Sequence, residues 1–217
     1  AIAPAPAEPN WIDQPAKRDA PSGKPLRPSQ PGLDHAPFPL GASPDGQRRH
    51  SGLAYGRLAH RLLELLPSVT PARRGEVAQP ILRRYHDLSE SAKKDILQRV
   101  EAIIKMPELA PLFSKEALVE VPINGRVHAV GVAGQIDRLY VGADRIILAD
   151  FKTGQRPDGP PPASYVEQIA LYDALLAQIY PGKDITSWLV WTQTQFIEDV
   201  TAAQRQQALG RLFADHQ

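Results

Sequence analysis

The sequence predicts a mixed α/β (α+β) domain carried behind an extended, proline-rich arm. Two observations point to the domain: a first half with helical periodicity, and a following series of Val-, Ile-, Leu- and Tyr-rich segments separated by tight-turn residues. A third points to the arm, since residues 1–50 hold 11 of the 22 prolines. Proline at that density removes backbone donors and fixes φ, which favours extended chain. The expected division is therefore an arm over 1–50, with Trp11, Leu33, Phe38 and Leu40 available to pin it to a neighbouring surface, and a domain over 51–217.

The domain opens with "SGLAYGRLAHRLLELLP", in which Leu58, Leu62, Leu65 and Leu66 line one helical face that ends at Pro67. "TPARRGEVAQPILRRYHDL" and "SESAKKDILQRVEAIIKMP" read as two more helices, the latter capped by Ser89 or Ser91. Four strands follow, "EALVEVPI", "RVHAVGVAG", "GQIDRLYVG" and "RIILADFK", with turns expected at Asn124-Gly125 and Gly142-Ala143-Asp144. The helix "ASYVEQIALYDALLAQIY", the strand "SWLVWT" and a helix from about Thr201 to Ala214 complete the chain. Helices before, between and after an antiparallel meander imply a central sheet with helices on its faces.

Composition removes several function classes. Twenty-five basic and 24 acidic residues leave a net charge of +1, so any polyanion site must be local. The absence of cysteine excludes disulfides, thiol catalysis, thiolate zinc sites and cysteine-ligated iron–sulfur clusters. No apolar run approaches the roughly 18 residues of a membrane span, and the start "AIAPAPAEPNWIDQ" lacks the pattern of a secretory leader. A cytoplasmic protein without a membrane partner is expected, and the start directly in low-complexity sequence suggests a domain cut from a longer polypeptide.

The chemistry concentrates in "GQIDRLYVGADRIILADFKTG" (Gly134 to Gly154). A two-residue loop at Ala143-Asp144 pairs Gly142 with Arg145 and, counted back, sets Asp137 opposite Asp150, with Cβ atoms about 4.5–5.5 Å apart. Lys152 shares the Asp150 face because strand side chains repeat every second residue. Like charges directly opposite repel, and burial worsens the repulsion. Either Lys152 neutralises one carboxylate, as in a solvated ion triad at a sheet edge, or a divalent cation with oxygen ligands sits between them. Ile136, Leu139, Ile146, Ile147, Leu148 and Phe151 favour strands buried on both faces, hence the second reading.

An acid on one strand followed after a hairpin by Asp-X-Lys resembles the PD-(D/E)XK nuclease superfamily. "GQIDRL", "ADFKTG", "YVEQIALY" with Gln168 and Tyr172 one turn apart, and "GRLAH" with Gly56 and His60 at the same spacing occur in the order of its RecB-type branch. "PLRPS", "EVPINGR", "YPGKDI" and "WLVWT" further resemble the C-terminal nuclease domain of the AddA subunit of bacterial AddAB helicase–nucleases. The partner subunit AddB and many free-standing relatives carry four cysteines for an iron–sulfur cluster, and this chain carries none. The phosphorylated-aspartate motif of P-type pumps is set aside, because Phe151 interrupts it.

The resemblance implies a restriction-endonuclease-like fold with a mixed central sheet. It implies Mg²⁺, with Mn²⁺ as a substitute, held by His60, Asp137, Asp150 and the backbone carbonyl of Phe151. Lys152 would orient the attacking water, while Gln168 and Tyr172 would shape the site wall and contact DNA. Glu116 or Glu120 would supply a further acid. The implied substrate is single-stranded DNA from a helicase, the 3′-terminated strand in AddA. The implied partners are an AddB-type subunit and upstream helicase domains of the same polypeptide, and ATP would serve only those domains, because the chain has no phosphate-binding loop with Lys-Ser/Thr. Arg48, Arg49, Arg73, Arg74, Arg83, Arg84, Lys93 and Lys94 would line a DNA channel or simply form solvated faces. The alternative is a nuclease-like module that positions DNA or a protein partner without activity of its own.

Overall fold

The computed structural model describes residues 25–28, 45–128 and 130–214. Trp11, Leu33, Phe38 and Leu40 lie outside them, as do the side chains of Arg48 and Arg49. Helix α1 runs Asp45–Leu65, so it begins inside the stretch expected to be extended arm. Its buried face carries Leu58, Leu62 and Leu63, and Leu66 in the 3₁₀ turn that follows is buried with them. Helix α2 (Pro71–Arg83) and helix α3 (Glu90–Ile104) pack beside it, and Ser89 rather than Ser91 caps α3 by accepting the Ala92 N–H at 3.2 Å. A 3₁₀ segment at Pro107–Phe113, absent from the sequence expectation, then leads to the sheet.

Among the described residues the sheet has five strands in the order β1 to β5: β1 Leu118–Val127, β2 Val130–Val141, β3 Arg145–Lys152, β4 Asp184–Trp191 and β5 Phe196–Asp199. All neighbours are antiparallel except β3 and β4, which run parallel and are joined by helix α4 (Ala163–Ile179). Helix α5 (Ala202–Leu212) follows, opened by a capping box between Thr201 and Gln204.

The meander has three strands, not four. Asn124-Gly125 is no turn, since Asn124 pairs with Ala133 and Gly125 with Val132 within one continuous ladder. Glycine serves another purpose there: a Cβ on Gly125 would fall 2.6 Å from Leu175 Cδ2, and one on Gly134 would fall 2.4 Å from the Tyr172 hydroxyl. Both glycines let α4 lie close on the sheet, a use of strand glycine that composition alone cannot separate from turn formation. The Gly142–Arg145 turn forms as expected, closed by a Gly142 N–H to Arg145 carbonyl bond of 2.8 Å.

Two cores sandwich the sheet. α4 and α5 cover Ile146, Leu148, Leu189 and Trp191, while α1 to α3 cover Ile147, Ala149, Phe151 and Val190 on the other face. β3 is therefore buried on both faces, as its continuous apolar run predicts. Beyond Arg138 the β2–β3 ladder ends and the strands part. On the far side of this fork Leu26 of the arm bridges β2, donating to the Gly131 carbonyl at 2.8 Å and accepting from Ala133 N–H at 2.9 Å.

Candidate active site

The fork between β2 and β3 is where the regular alternation of side chains fails. Gly134 and Ile136 face α4, and so does Leu139. Arg138 turns to the opposite face and donates to the carbonyls of Leu63 and Glu64 at the end of α1, at 2.6 and 3.0 Å. Residues two apart on a strand should share a face, so the pattern slips by one position at Asp137. The matching irregularity on β1 is Glu120, which falls opposite Asp137 between the Val119–Arg138 and Val121–Ile136 pairs and has φ of 50°. A left-handed glutamate is a sparsely populated conformation, of the kind held in place only when its surroundings fix it.

Glu120 and Asp137 thus meet at the irregular positions of β1 and β2. The β2–β3 ladder stops at Arg138–Ala149, one position short of the Asp137–Asp150 pairing that the turn geometry predicts. Asp137 Oδ2 accepts the Phe151 N–H at 2.7 Å, filling the backbone partner lost where the ladder stops. The same oxygen lies 3.5 Å from His60 Nδ1, which α1 brings over the fork. Gly56, one turn earlier, lets the helix approach: a Cβ there would stand 3.2 Å from Thr153 Oγ1. His60, Glu120 and Asp137 offer ligand atoms all within 4.8 Å of one another. Of the two acids considered from this strand, Glu120 is the one that stands with His60 and Asp137. Glu116 lies outside this group, on the exposed approach to β1.

Asp150 belongs to an adjoining buried triad. Lys152 Nζ is 2.9 Å from Asp150 Oδ2 and donates to Gln168 Oε1 at 2.9 Å, while Gln168 Nε2 donates to Asp150 Oδ1 at 2.8 Å. The ammonium also lies 3.8 Å from the Tyr165 ring centroid, a cation–π contact. Asp150 and Lys152 are only 4% and 6% exposed, so the pair is held in a low-dielectric setting where its geometry is tightly specified.

Tyr172 is fully buried beneath this triad, with its hydroxyl accepting the Gln135 N–H at 3.3 Å. It has no exposed surface with which to touch DNA, and it supports Gly134 and Gln135 from below. Phe151 is likewise buried and stacks on Phe113. Of the basic residues considered for a channel, Arg74 is buried and donates to the carbonyls of Leu66 and Val69, and Lys93 is buried and paired with Glu90. Arg83, Arg84 and Lys94 are exposed.

The electrostatics reflect the crowding of acids. Burial and the neighbouring Asp137 push the Glu120 carboxyl up to about 7. Burial likewise raises Asp150, with Lys152 opposing and Asp137 adding to the rise. Burial also disfavours charge on Asp137 and on His60, but their mutual attraction wins, so Asp137 falls below its usual range and His60 rises to about 9. A cation drawn from solution would relieve the same repulsion that His60 relieves here. The donor set fits one: carboxylate oxygens suit Mg²⁺ and Mn²⁺, and a single imidazole tilts the preference from Mg²⁺ toward Mn²⁺.

Among the described residues no helix is long and apolar enough to cross a membrane. No curated protein matches the chain. A solved structure titled "Crystal structure of SSO0001" aligns at 15% identity over 73% of this chain and 85% of that chain, with a TM-score of 0.33. The family described as "PD-(D/E)XK nuclease superfamily" matches residues 39–215, most of the chain. The mixed sheet flanked by helices is the restriction-endonuclease-like arrangement, and the chain belongs to the PD-(D/E)XK nuclease superfamily of metal-dependent nucleases.

Proposed function

We propose that the chain is the nuclease domain of a helicase–nuclease of the AddA type, acting in double-strand break repair on unwound single-stranded DNA. Mg²⁺ is its cofactor and Mn²⁺ a substitute, held by His60, Asp137, Asp150 and the Phe151 carbonyl together with Glu120. The observation that carries the reading is the meeting of two sets at one fork, the His60–Glu120–Asp137 group and the Asp150–Lys152–Gln168 triad. The AddA assignment, the 3′-terminated strand and the AddB-type partner rest on the motif resemblance and on the absence of cysteines.

A bound divalent ion supplies charge stabilisation at the phosphate and a lowered pKa for a bound water. The protein's own groups do the rest. Gln168 and Asp150 hold Lys152 Nζ in one position, where it can orient the attacking water and donate to a non-bridging phosphate oxygen as charge develops. The Phe151 N–H fixes Asp137, and α1 sets the position of His60. Tyr172 is a positioning residue, holding β2 at Gly134 and Gln135. The competing reading, an inactive DNA-positioning module, is disfavoured because Asp137, Asp150 and Lys152 are all present and converge.

The test is cleavage of single-stranded DNA, labelled at either end, with Mg²⁺ or Mn²⁺. Metal-dependent cutting is expected, and Asp150→Ala and Lys152→Ala should each abolish it with the fold retained. Undiminished cutting by both variants would remove the site assignment, while unchanged cutting in excess EDTA would remove the metal.

A further inference from the structure

We infer that Arg156 and Phe196 form a stacking platform for a nucleobase of the DNA strand whose phosphate lies at Lys152. The inference rests on the single-stranded DNA reading above and extends it to a defined subsite. Phe196 is 42% exposed, one of few large apolar side chains left open among the described residues. The Arg156 guanidinium lies 4.1 Å from its ring centroid. An exposed aromatic ring overlaid by a guanidinium presents two flat, polarisable surfaces, and every base has a π-face to add to such a stack.

Its position connects it to the chemistry. Lys152 pairs with Trp191, and Trp191 pairs with Phe196. The three therefore occupy one row across β3, β4 and β5, and side chains in such a row share a face of the sheet. Two strand spacings put Phe196 about 10 Å from Lys152, close enough for neighbouring nucleotides of one strand to reach both. Lys152 and Trp191 also end the parallel pair, and the carboxyl ends of parallel strands are where open sheets bind ligands. Between them the Tyr165 ring lies under Lys152 and beside Trp191, with centroids 5.9 Å apart.

The platform is also fixed in place. The turn before Phe196 is tied to the segment after Lys152 by Gln193 Nε2 donating to the Thr153 carbonyl at 2.8 Å, and to α3 by Arg99 Nη1 donating to the Gln193 carbonyl at 2.5 Å. Gln195 adopts φ of 51°, a strained choice for a residue in an open turn. Glu198 Oε2 lies 3.5 Å from Arg156 Nε while accepting the Trp191 Nε1–H at 2.8 Å. That carboxylate offsets the guanidinium charge, so the pair suits base stacking better than phosphate capture.

The test is fluorescence anisotropy of labelled oligothymidylate in EDTA, which separates binding from cleavage. Phe196→Ala and Arg156→Ala should each weaken binding roughly 10-fold, and Phe196→Trp should restore it. Phe196→Leu, which keeps apolar bulk without a ring, should bind as weakly as Phe196→Ala and serves if the alanine variant unfolds. Removing single bases along the oligonucleotide should expose one position that wild type needs and Phe196→Leu ignores. Equal binding by Phe196→Leu and wild type, with the same abasic profile, would overturn the platform while leaving the nuclease reading intact. Absence of single-stranded DNA binding and cleavage in the wild type would remove both.

Discussion

The carboxylate of Asp137 accepts the backbone N–H of Phe151 at 2.7 Å, just past the last pair of the β2–β3 ladder. One side chain therefore completes the backbone hydrogen bonding of a splayed strand and contributes an acid to the site. The two roles separate by mutation. Asp137→Asn can still accept that N–H and should fold normally, yet lose more activity than the roughly 10–100-fold typical of groups around a metal's ligands. Asp137→Ala should lose activity and also about 1–3 kcal/mol of stability, the cost of an unpaired buried donor. Urea titration of both variants beside a cleavage assay checks the split.

Gln168 bridges Asp150 and Lys152 through both ends of its amide. Gln168→Ala should lower cleavage about 10–100-fold while weakening Mn²⁺ binding less than Asp137→Ala does, because His60, Glu120 and Asp137 keep their places and only Asp150 loses a partner. Isothermal titration with Mn²⁺ set against cleavage rates distinguishes this from a loss of metal.

Gly134 lies over the Tyr172 ring, and an added Cβ would stand 2.5 and 2.8 Å from Cε1 and Cζ. A rigid ring cannot yield, so Gly134→Ala should cost about 1–3 kcal/mol. Gly125→Ala should cost less, because its overlap is with the end of the flexible Leu175 side chain. Denaturant midpoints at unchanged slope would establish the order.

Tyr55 donates to Asp95 Oδ2 at 3.0 Å, and Asp95 accepts from Arg99, which reaches the Gln193 carbonyl. This relay fixes α1, and with it His60, relative to the segment after Lys152. Burial and the Asp95 bond raise the Tyr55 phenol above its ordinary 10.0. A folded-state pKa above the unfolded value means stability that is complete below pH 10.0 and lost as pH climbs past it. Tyr55→Phe should cost roughly 1 kcal/mol at neutral pH and flatten the alkaline fall in stability. Thermal melts across the alkaline range measure both.

Much of this was legible in the chain. The Ala143-Asp144 turn sets the β2–β3 register as far as Arg138–Ala149, because a two-residue hairpin leaves no freedom in counting, but the strands part before Asp137 would pair with Asp150. The helices follow from apolar periodicity, while the sequence left the cap of α3 open between Ser89 and Ser91 and the structure selects Ser89. Glu120 could not be chosen over Glu116, since its place depends on a left-handed backbone that no local pattern signals. The Asn124-Gly125 turn was misleading because the glycine answers to Leu175, about 50 residues away in sequence. β5 is a four-residue edge strand, too short to declare an alternation. That the first helix starts at Asp45 was hidden by the polar, proline-adjacent residues of its first turns.

The central claim is that the fork of β2 and β3 is a metal-dependent phosphodiesterase centre. Its most direct test is a crystal of the chain soaked in Mn²⁺ and measured for anomalous scattering. The account predicts a peak within ligand distance of His60, Glu120 and Asp137 that disappears in Asp137→Ala. A peak elsewhere, or none at a Mn²⁺ concentration that supports cleavage, would contradict it.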